Sequence, residues 1–412
     1  MTVCYDKLWD ILEKKNMKKT ELKDISGISF NVLARLGKRE TVSMESIEKI
    51  CKALNCNIGE MMDIKPDTTS HHFTTIELFA GAGGLALGIE KAGFDTLGLI
   101  EFDKNAADTL KHNRSNWHVI NDDIANISKL NLEDYFSLKK GELDLLSGGA
   151  PCQSFSYAGN RLGLEDARGT LFYHYATFLK KLQPKMFIFE NVKGLLNHDQ
   201  GRTYKTILDI FKQEGYTIRD NQIKVMNAWD YGVPQKRERL ITVGIRNDLT
   251  NKIHFEFPTP HAYKPVLKDI LLDCPKSIGS SYSDYKKSIF ELVPPGGCWR
   301  DIPEDVARQY MKSCWDMGGG RTGILRRLSL DEPSLTVLTS PSQKQTDRCH
   351  PLEPRPFTVR ENARCQTFPD DWEFCGSVGQ QYKQVGNAVP VNLAYEIALK
   401  IKEGLEGIKC GH

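Results

Sequence analysis

From residue 5 to residue 54 apolar side chains recur at helical spacing, beginning with "YDKLWDILEKKN". The segments "TELKDIS", "SFNVLARLGKRE" and "SMESIEKICKALN" each open on Ser or Thr, residues whose side chains cap helix starts. This predicts four or five short helices joined by tight turns over residues 1–65. Thr20–Ile25 and Ser29–Leu36 flank a turn at Gly27, the spacing of a helix-turn-helix, although a plain helical bundle carries the same pattern. The polar, Pro-containing "IKPDTTSHH" follows, and residues 66–73 read as a linker.

After the linker the period changes. "TTIELFA", "TLGLIE", "LDLLSG", "KMFIFE" and "RLITVGI" read as strands, separated by the helical "LALGIEKAG", "NAADTLKHN", "HYATFLKKL" and "TYKTILDIFKQEG". Strand and helix in alternation over residues 74–250 predict the α/β class: an open, doubly wound parallel sheet with helices on both faces. Ligands of such sheets sit beyond the carboxyl ends of the strands. Over residues 251–327 the alternation dissolves into "PTPHAYKP", "VPPGGCWR" and "MGGGRTG", which suggests a small, loop-rich second domain. Residues 328–412 extend that domain and then close with "QVGNAVPVNLAYEIALKIKEGL", a helix with a Pro near its first turn.

Composition adds exclusions. The chain of 412 residues is 40% apolar and 26% charged, as soluble globular proteins are, and its net charge of +2 diagnoses no nucleic-acid partner by itself. The amino terminus lacks the apolar stretch of a signal peptide, and no apolar run approaches the roughly 20 residues of a membrane span. A cytoplasmic protein without a membrane partner is expected. The eleven cysteines are scattered, with no C-x-x-C pair, which argues against a disulfide framework and a structural zinc; no metal is expected.

Candidate chemistry gathers at the strand ends. "FAGAGGLA" places Gly81, Gly83 and Ala86 in a G-x-G-x-x-A turn between strand and helix. Glu101, at the end of the next strand, is where a carboxylate accepts from two ribose hydroxyls. Asp123 is a candidate for the adenine amino group and Phe102 for stacking on the ring. The turn alone does not separate a dinucleotide from S-adenosylmethionine. Cys152 follows a strand within "GGAPCQSFSYAG", a loop context that suits a reactive thiol better than a buried one. Glu190 ends the apolar run "FIFENV", where an acid is costly unless paired or solvated. In "QKRER", Arg237 and Arg239 alternate along a strand and so share a face.

In this order, "ELFAGAGG", "GGAPCQSFS", "ENVKGL", "QKRER" and "QVGNAV" resemble the motifs of the DNA (cytosine-5)-methyltransferases over roughly residues 74–250 and 327–402. The resemblance implies a Rossmann-like methyltransferase sheet and S-adenosylmethionine as cofactor. Phe79, Ile124, Asn387 and Val389 join Gly81, Gly83, Glu101, Phe102 and Asp123 around that cofactor. Cys152 is then the nucleophile at carbon 6 of a flipped-out cytosine in double-stranded DNA. Glu190 engages ring nitrogen 3, Arg239 holds the exocyclic oxygen, and Arg237 supports the same catalytic pocket.

By the same resemblance, residues 153–172 close over DNA. Ser156, Arg161 and Arg168 are the contacts, with Gly159, Gly163 and Gly169 as hinges. Arg321, Thr322 and Arg348 are candidates for reading bases. The amino-terminal segments resemble the Cro and lambda-repressor helix-turn-helix, which makes Ser29, Asn31, Arg35 and Lys38 candidate DNA contacts. The expected setting is a bacterial modification enzyme protecting DNA from a partner restriction endonuclease. Its catalytic unit is expected to be monomeric, with an amino-terminal domain that dimerises on an operator and regulates transcription. An RNA cytosine methyltransferase and a nonenzymatic DNA-binding regulator remain open alternatives. A nicotinamide dehydrogenase leaves "PCQ" and "ENV" without work.

Overall fold

The computed structural model describes residues 2–15, 17–37, 41–65, 73–150, 171–316, 323–341 and 346–408. The chain divides into two compact units, Met1–His72 and Phe73–His412. Among the described residues no helix is long and apolar enough to cross a membrane.

The first unit contains the predicted helices α1 (Asp6–Lys14), α2 (Lys19–Ser26), α3 (Phe30–Gly37), α4 (Met44–Leu54) and α5 (Ile58–Met61). Leu8, Leu12, Leu22, Leu36, Ile47, Ile50 and Leu54 form its core. Gly27 ends α2 in a left-handed conformation (φ 69°), and its N–H reaches the Lys23 carbonyl at 3.0 Å. Ser29 then caps α3, its Oγ accepting from the Val32 N–H at 3.3 Å. A feature not foreseen is a two-stranded antiparallel ribbon, β1 (Thr2–Cys4) with β2 (Asp63–Lys65), which joins the two ends of the unit.

The second unit is built on an eight-stranded sheet of β3 (Phe73–Leu78), β4 (Phe94–Ile100), β5 (Val119–Ile120), β6 (Leu145–Gly148), β7 (Met186–Val192), β8 (Tyr216–Thr217), β9 (Ile223–Asn227) and, numbered after the short strand β10 (Gln235–Lys236), β11 (Glu238–Arg246). The order is 5-4-3-6-7-11-8, with β9 also paired to β11. Its helices are α6 (Gly84–Lys91), α7 (Lys104–Asn113), α8 (Ile124–Ile127), α9 (Leu132–Phe136), α10 (Leu171–Leu182), α11 (Arg202–Gln213), α12 (Lys268–Leu271), α13 (Asp284–Leu292), α14 (Glu304–Met311), α15 (Val359–Cys365), α16 (Val378–Asn387) and α17 (Val391–Glu406).

The expectation of an all-parallel sheet needs correction at one edge. β5, β4, β3, β6 and β7 are parallel, but β11 runs antiparallel to β7, and β8 and β9 run antiparallel to β11. The cause is local: only residues 228–237 separate β9 from β11, which is too short for the crossover that parallel pairing requires. The reversal has a consequence for function. It brings the amino-terminal end of β11 beside the carboxyl end of β7, so Ile241 lies opposite Glu190 and Arg239 opposite Val192.

Side-chain alternation sorts the strands between two cores. Ile76, Leu146, Phe187 and Phe189 face a cluster with residues of α8, α9, α10 and α11. Phe73, Leu145, Ile188, Ile241 and Val243 face α6 and α17. By the same parity Glu77, Ser147, Glu190 and Arg239 belong to the α6/α17 face. Helix α17 packs on α6 closely enough that a Cβ on Gly88 would come within 2.6 Å of the Val391 carbonyl oxygen.

A further cluster, formed by Ile289, Phe290, Val293, Ile302, Ala307, Met311, Ile324, Leu325 and Cys349, is the core of the loop-rich region. Ile253 and Phe255 instead pack with α17. The separate core therefore begins well after residue 251 and draws in a residue beyond 327. Strand β12 (Ser334–Leu335) returns the chain to the sheet end by pairing with β10.

Candidate active site

A cleft of about 1150 Å³ opens at the carboxyl ends of β3, β4, β6 and β7. Leaving β3, the chain turns through Phe79 and Gly81, both at positive φ (59° and 55°), and Gly83 (φ 86°) caps α6. Positive φ is strained for Phe79 and costs of order 1–3 kcal/mol, which the turn over the cleft imposes. The Gly81 N–H donates to Glu101 Oε2 at 2.7 Å, and the Asp103 N–H donates to Oε1, also at 2.7 Å. Burial pushes the Glu101 carboxyl up, against the pull of those backbone donors. Asn121 ties in the loop after β5 by donating to the Glu101 and Phe102 carbonyls at 2.9 and 3.1 Å.

The other predicted cofactor residues lie around the same space. Phe102, Asp123, Ile124, Asn387 and Val389 all line the cleft with Phe79, Gly81 and Glu101. Phe102 is 74% exposed, which leaves it open to stacking. Asp123 caps α8, with Oδ1 accepting from the Ala125 N–H at 2.8 Å. Gly83 is packed beneath the turn, where a Cβ would meet Leu110 at 2.6 Å. Gly84 seals the floor against the carboxyl-terminal segment, and a Cβ there would meet the Val389 carbonyl oxygen at 2.1 Å. Glycine is required at this close approach.

At the other end of the cleft Arg239 Nε pairs with Glu190 Oε1 at 2.9 Å, both side chains largely buried. Gly149 passes so near that a Cβ would fall 2.5 Å from Glu190 Oε2. Asn191 Nδ2 donates to the Ala150 carbonyl at 2.9 Å, which fixes the chain two residues before Cys152. Cys152 itself lies outside the described residues, as do Ser156, Arg161, Arg168, Arg321, Thr322 and Lys38.

Arg237 has a different task from Arg239. Only 1% exposed, it donates from Nη2 to the Gly386 and Ala388 carbonyls, each at 2.9 Å, and from Nη1 to Val337 at 3.4 Å. It is thus a brace between β11 and the turn that carries Asn387 and Val389. Burial first, and Arg239 beside it, pull its pKa down to about 9, so the guanidinium stays charged at neutral pH. Gln235 extends the brace. Its Nε2 donates to the Cys365 carbonyl and to Gln366 Oε1, and its Oε1 accepts from the Val337 N–H.

A family model described as C-5 cytosine-specific DNA methylase matches residues 73–403. The chain belongs to the C-5 cytosine-specific DNA methylases. A model of the Cro/C1-type helix-turn-helix DNA-binding domain matches residues 7–67 of the methylase. The Type II methyltransferase M.Sau96I of Staphylococcus aureus is 55% identical over 82% of this chain and 77% of its own. M.PspPI of Psychrobacter is 50% identical over 87% of this chain and 85% of its own. Among solved structures, the Entamoeba histolytica methyltransferase EhMeth aligns with a TM-score of 0.55 at 16% identity, over 82% of this chain and 99% of that one, a likeness of fold. The methylase is thus a DNA cytosine-5 methyltransferase with an added helix-turn-helix unit, and a family of methyltransferases implies use of S-adenosylmethionine.

The DNA-contact candidates that are described look less free than the sequence suggested. Arg348 is half-buried, donates from Nη1 to the Asp347 carbonyl at 3.0 Å, and lines a small crevice with Tyr382 and Phe357. Burial, then the neighbouring Arg326, lowers its pKa. Arg35 donates to the Thr41 carbonyl within its own unit, and the Ser29 hydroxyl is engaged as a cap. Of Asn31 only the backbone, within α3, is described.

Sequence reasoning missed several residues at this site: Gly84, Gly149, Asn191, Gln235 and Glu77. Glu77 lines the cleft, is 2% exposed, and its Oε2 has no hydrogen-bond partner among the described residues. The signal for it was present, since "TTIELFA" sets an acid inside an apolar strand as "FIFENV" does.

Proposed function

We propose that the methylase acts through a transient bond between Cys152 Sγ and carbon 6 of a cytosine turned out of the duplex, with S-adenosylmethionine at the Glu101 end of the cleft. One observation carries this reading. The Glu190–Arg239 pair and the anchored Ala150, two residues before Cys152, border the same cleft as Glu101. Carboxyl, guanidinium and nucleoside site thereby share one space, and Cys152 follows Ala150 by two residues in the sequence.

The donor set fits the cofactor. Glu101 offers two carboxylate oxygens to neutral ribose hydroxyls, Asp123 an acceptor for an amino group, and Phe102 an open ring face. When bound, S-adenosylmethionine supplies an electrophilic methyl group. The chain's own residues do the rest. Cys152, as thiolate, adds to carbon 6, while Glu190 in its protonated form hydrogen-bonds ring nitrogen 3 and draws charge out of the ring. Arg239 positions Glu190 through Nε and holds the exocyclic oxygen of the base. After carbon 5 accepts the methyl group its proton leaves to a base, the Cys152–carbon 6 bond breaks and the thiolate is regenerated. Extrusion of the cytosine costs a few kcal/mol, offset by contacts with the duplex, for which Ser156, Arg161, Arg168, Arg321, Thr322 and Arg348 are the candidates.

The amino-terminal unit binds an operator as a dimer through α3 and represses the methylase gene or that of a partner endonuclease, whose sites the enzyme protects. Deleting residues 1–65 is expected to abolish operator binding in a mobility-shift assay while labelled methyl transfer to duplex DNA persists. Loss of both together contradicts independent roles. Labelled cofactor offered with duplex DNA or with RNA tests the substrate directly, and transfer to RNA alone contradicts the reading.

A further inference from the structure

Arg326 and Arg348 meet across a short parallel bridge in the loop-rich region. Arg327 pairs there with Cys349: the Cys349 N–H donates to the Arg326 carbonyl and the Leu328 N–H to the Cys349 carbonyl, each at 3.0 Å. Cys349 is fully buried, and Arg327 turns with it toward the core of that region, where its Nη1 donates to the Val293 carbonyl at 3.0 Å. Successive side chains alternate between faces and neighbouring strands lie about 4.8 Å apart, so Arg326 and Arg348 project side by side on the opposite face.

Like charges directly opposite one another are destabilising, and no acid among the described residues relieves this pair. Asp347, next to Arg348 in the chain, is spent on Lys286 at 2.6 Å and on the Leu325 N–H at 2.9 Å. The Arg326 side chain makes no hydrogen bond or ion pair with the described residues. Arg348 is tethered to the Asp347 carbonyl at 3.0 Å, and its Nε is buried without a partner among them. Other arginines of the region are matched with acids: Arg308 with Glu304, Arg355 with Glu361, Arg364 with Asp370. The unmatched pair also lies beside the reaction. Arg348 lines its crevice with Leu338 and Ser340, and Thr339, between those two, lines the active-site cleft. Gly386 lets that segment close on α16, since a Cβ there would fall 2.6 Å from the Leu338 carbonyl oxygen.

We propose that Arg326 and Arg348 together clamp one backbone phosphate of the DNA strand at the rim of the cleft. The inference rests on duplex DNA as the substrate. A phosphate brings the negative charge that offsets the repulsion between two guanidinium groups, whereas a base edge is neutral and leaves the repulsion in place. Reading guanine also takes both ends of a guanidinium fork, and Arg348 has Nη1 turned back to its own chain and Nε buried. Phosphate contacts fix where a strand lies without reading its sequence, so the clamp sets the register of the strand on the cleft.

The test is labelled methyl transfer to plasmid DNA by the full chain, measured as kcat/KM over a series of salt concentrations, with the methylated sites mapped by bisulfite sequencing. Arg326→Gln and Arg348→Gln, their folds checked by circular dichroism, are each expected to lower kcat/KM on the order of tenfold at low salt. The deficit shrinks as salt rises, and the methylated sites stay the same. In the double variant the two losses are expected not to add, because both arginines serve one phosphate. Arg326→Gln, relieved of its like-charged neighbour, is expected to unfold at or above the wild-type midpoint, which a merely structural arginine would not allow. That variant carries the test alone if Arg348→Gln does not fold. An undiminished kcat/KM in folded Arg326→Gln overturns the proposal, as does a deficit indifferent to salt or a relaxed set of methylated sites. Losses that add in full also overturn it, since they assign the arginines to separate contacts. Failure of wild type to methylate any DNA contradicts the substrate reading instead, so the two failures are distinguishable.

Discussion

At the residue scale the site depends on how its charged side chains are partnered. Glu190 is engaged by Arg239 and hemmed in by Gly149, so its carboxyl has little freedom to leave the cleft. Glu190→Gln keeps the shape and removes the acid. The expected result is a fall in kcat of about 10²–10⁴-fold, with KM for DNA changed far less, because the proposed proton on ring nitrogen 3 acts in the transition state. Steady-state kinetics on a defined duplex measures the split. Arg237 gives the contrasting case. Arg237→Met removes the donor to Gly386, Ala388 and Val337 and leaves their carbonyls buried without it. The expected cost is roughly 2–5 kcal/mol of stability, read as a lowered denaturation midpoint, together with weaker cofactor binding.

At the element scale the deciding contact is that of α6 against α17. Gly84→Ala drives a methyl group into the Val389 carbonyl at the cleft floor, whereas Gly88→Ala meets Val391 and Ala394 one turn farther along. Both are expected to destabilise by about 1–3 kcal/mol. Only Gly84→Ala is expected to weaken cofactor binding markedly, since Val389 lines the cleft and Ala394 does not. Calorimetry of the two variants side by side checks this. The same scale shows what could be read in advance. Long strands such as "KMFIFE" and amphipathic helices such as "TYKTILDIFKQEG" announce themselves by period, and each is present as β7 or α11. β5 and β8, at two residues each, are too short to show a period, and strand direction leaves no periodic trace. The reversal of β11 follows only from counting the connection after β9. Side-chain partners are hidden for a similar reason: "QKRER" promises two equivalent arginines, and only the packing of residues 386–388 separates brace from pocket.

At the scale of the whole molecule, two units matched by different family models share one chain, and each has its own core. The five ordered motifs made the larger unit legible, because its chemistry is concentrated at strand ends where residue type is constrained. The base-reading surface was not legible: guanine contacts can be made from many backbones, and Arg348, picked by residue type, is half-buried against its own domain. Separate cores predict separate behaviour, with the truncated chain lacking residues 1–65 retaining methyl transfer. The most direct measurement of the central claim uses a duplex with 5-fluorocytosine at the target position, since fluorine at carbon 5 cannot leave as a proton. Wild type with S-adenosylmethionine is expected to form a protein–DNA adduct that survives denaturation, and Cys152→Ser none. An adduct that persists in Cys152→Ser, or a wild type that methylates ordinary DNA yet is never trapped, contradicts the account.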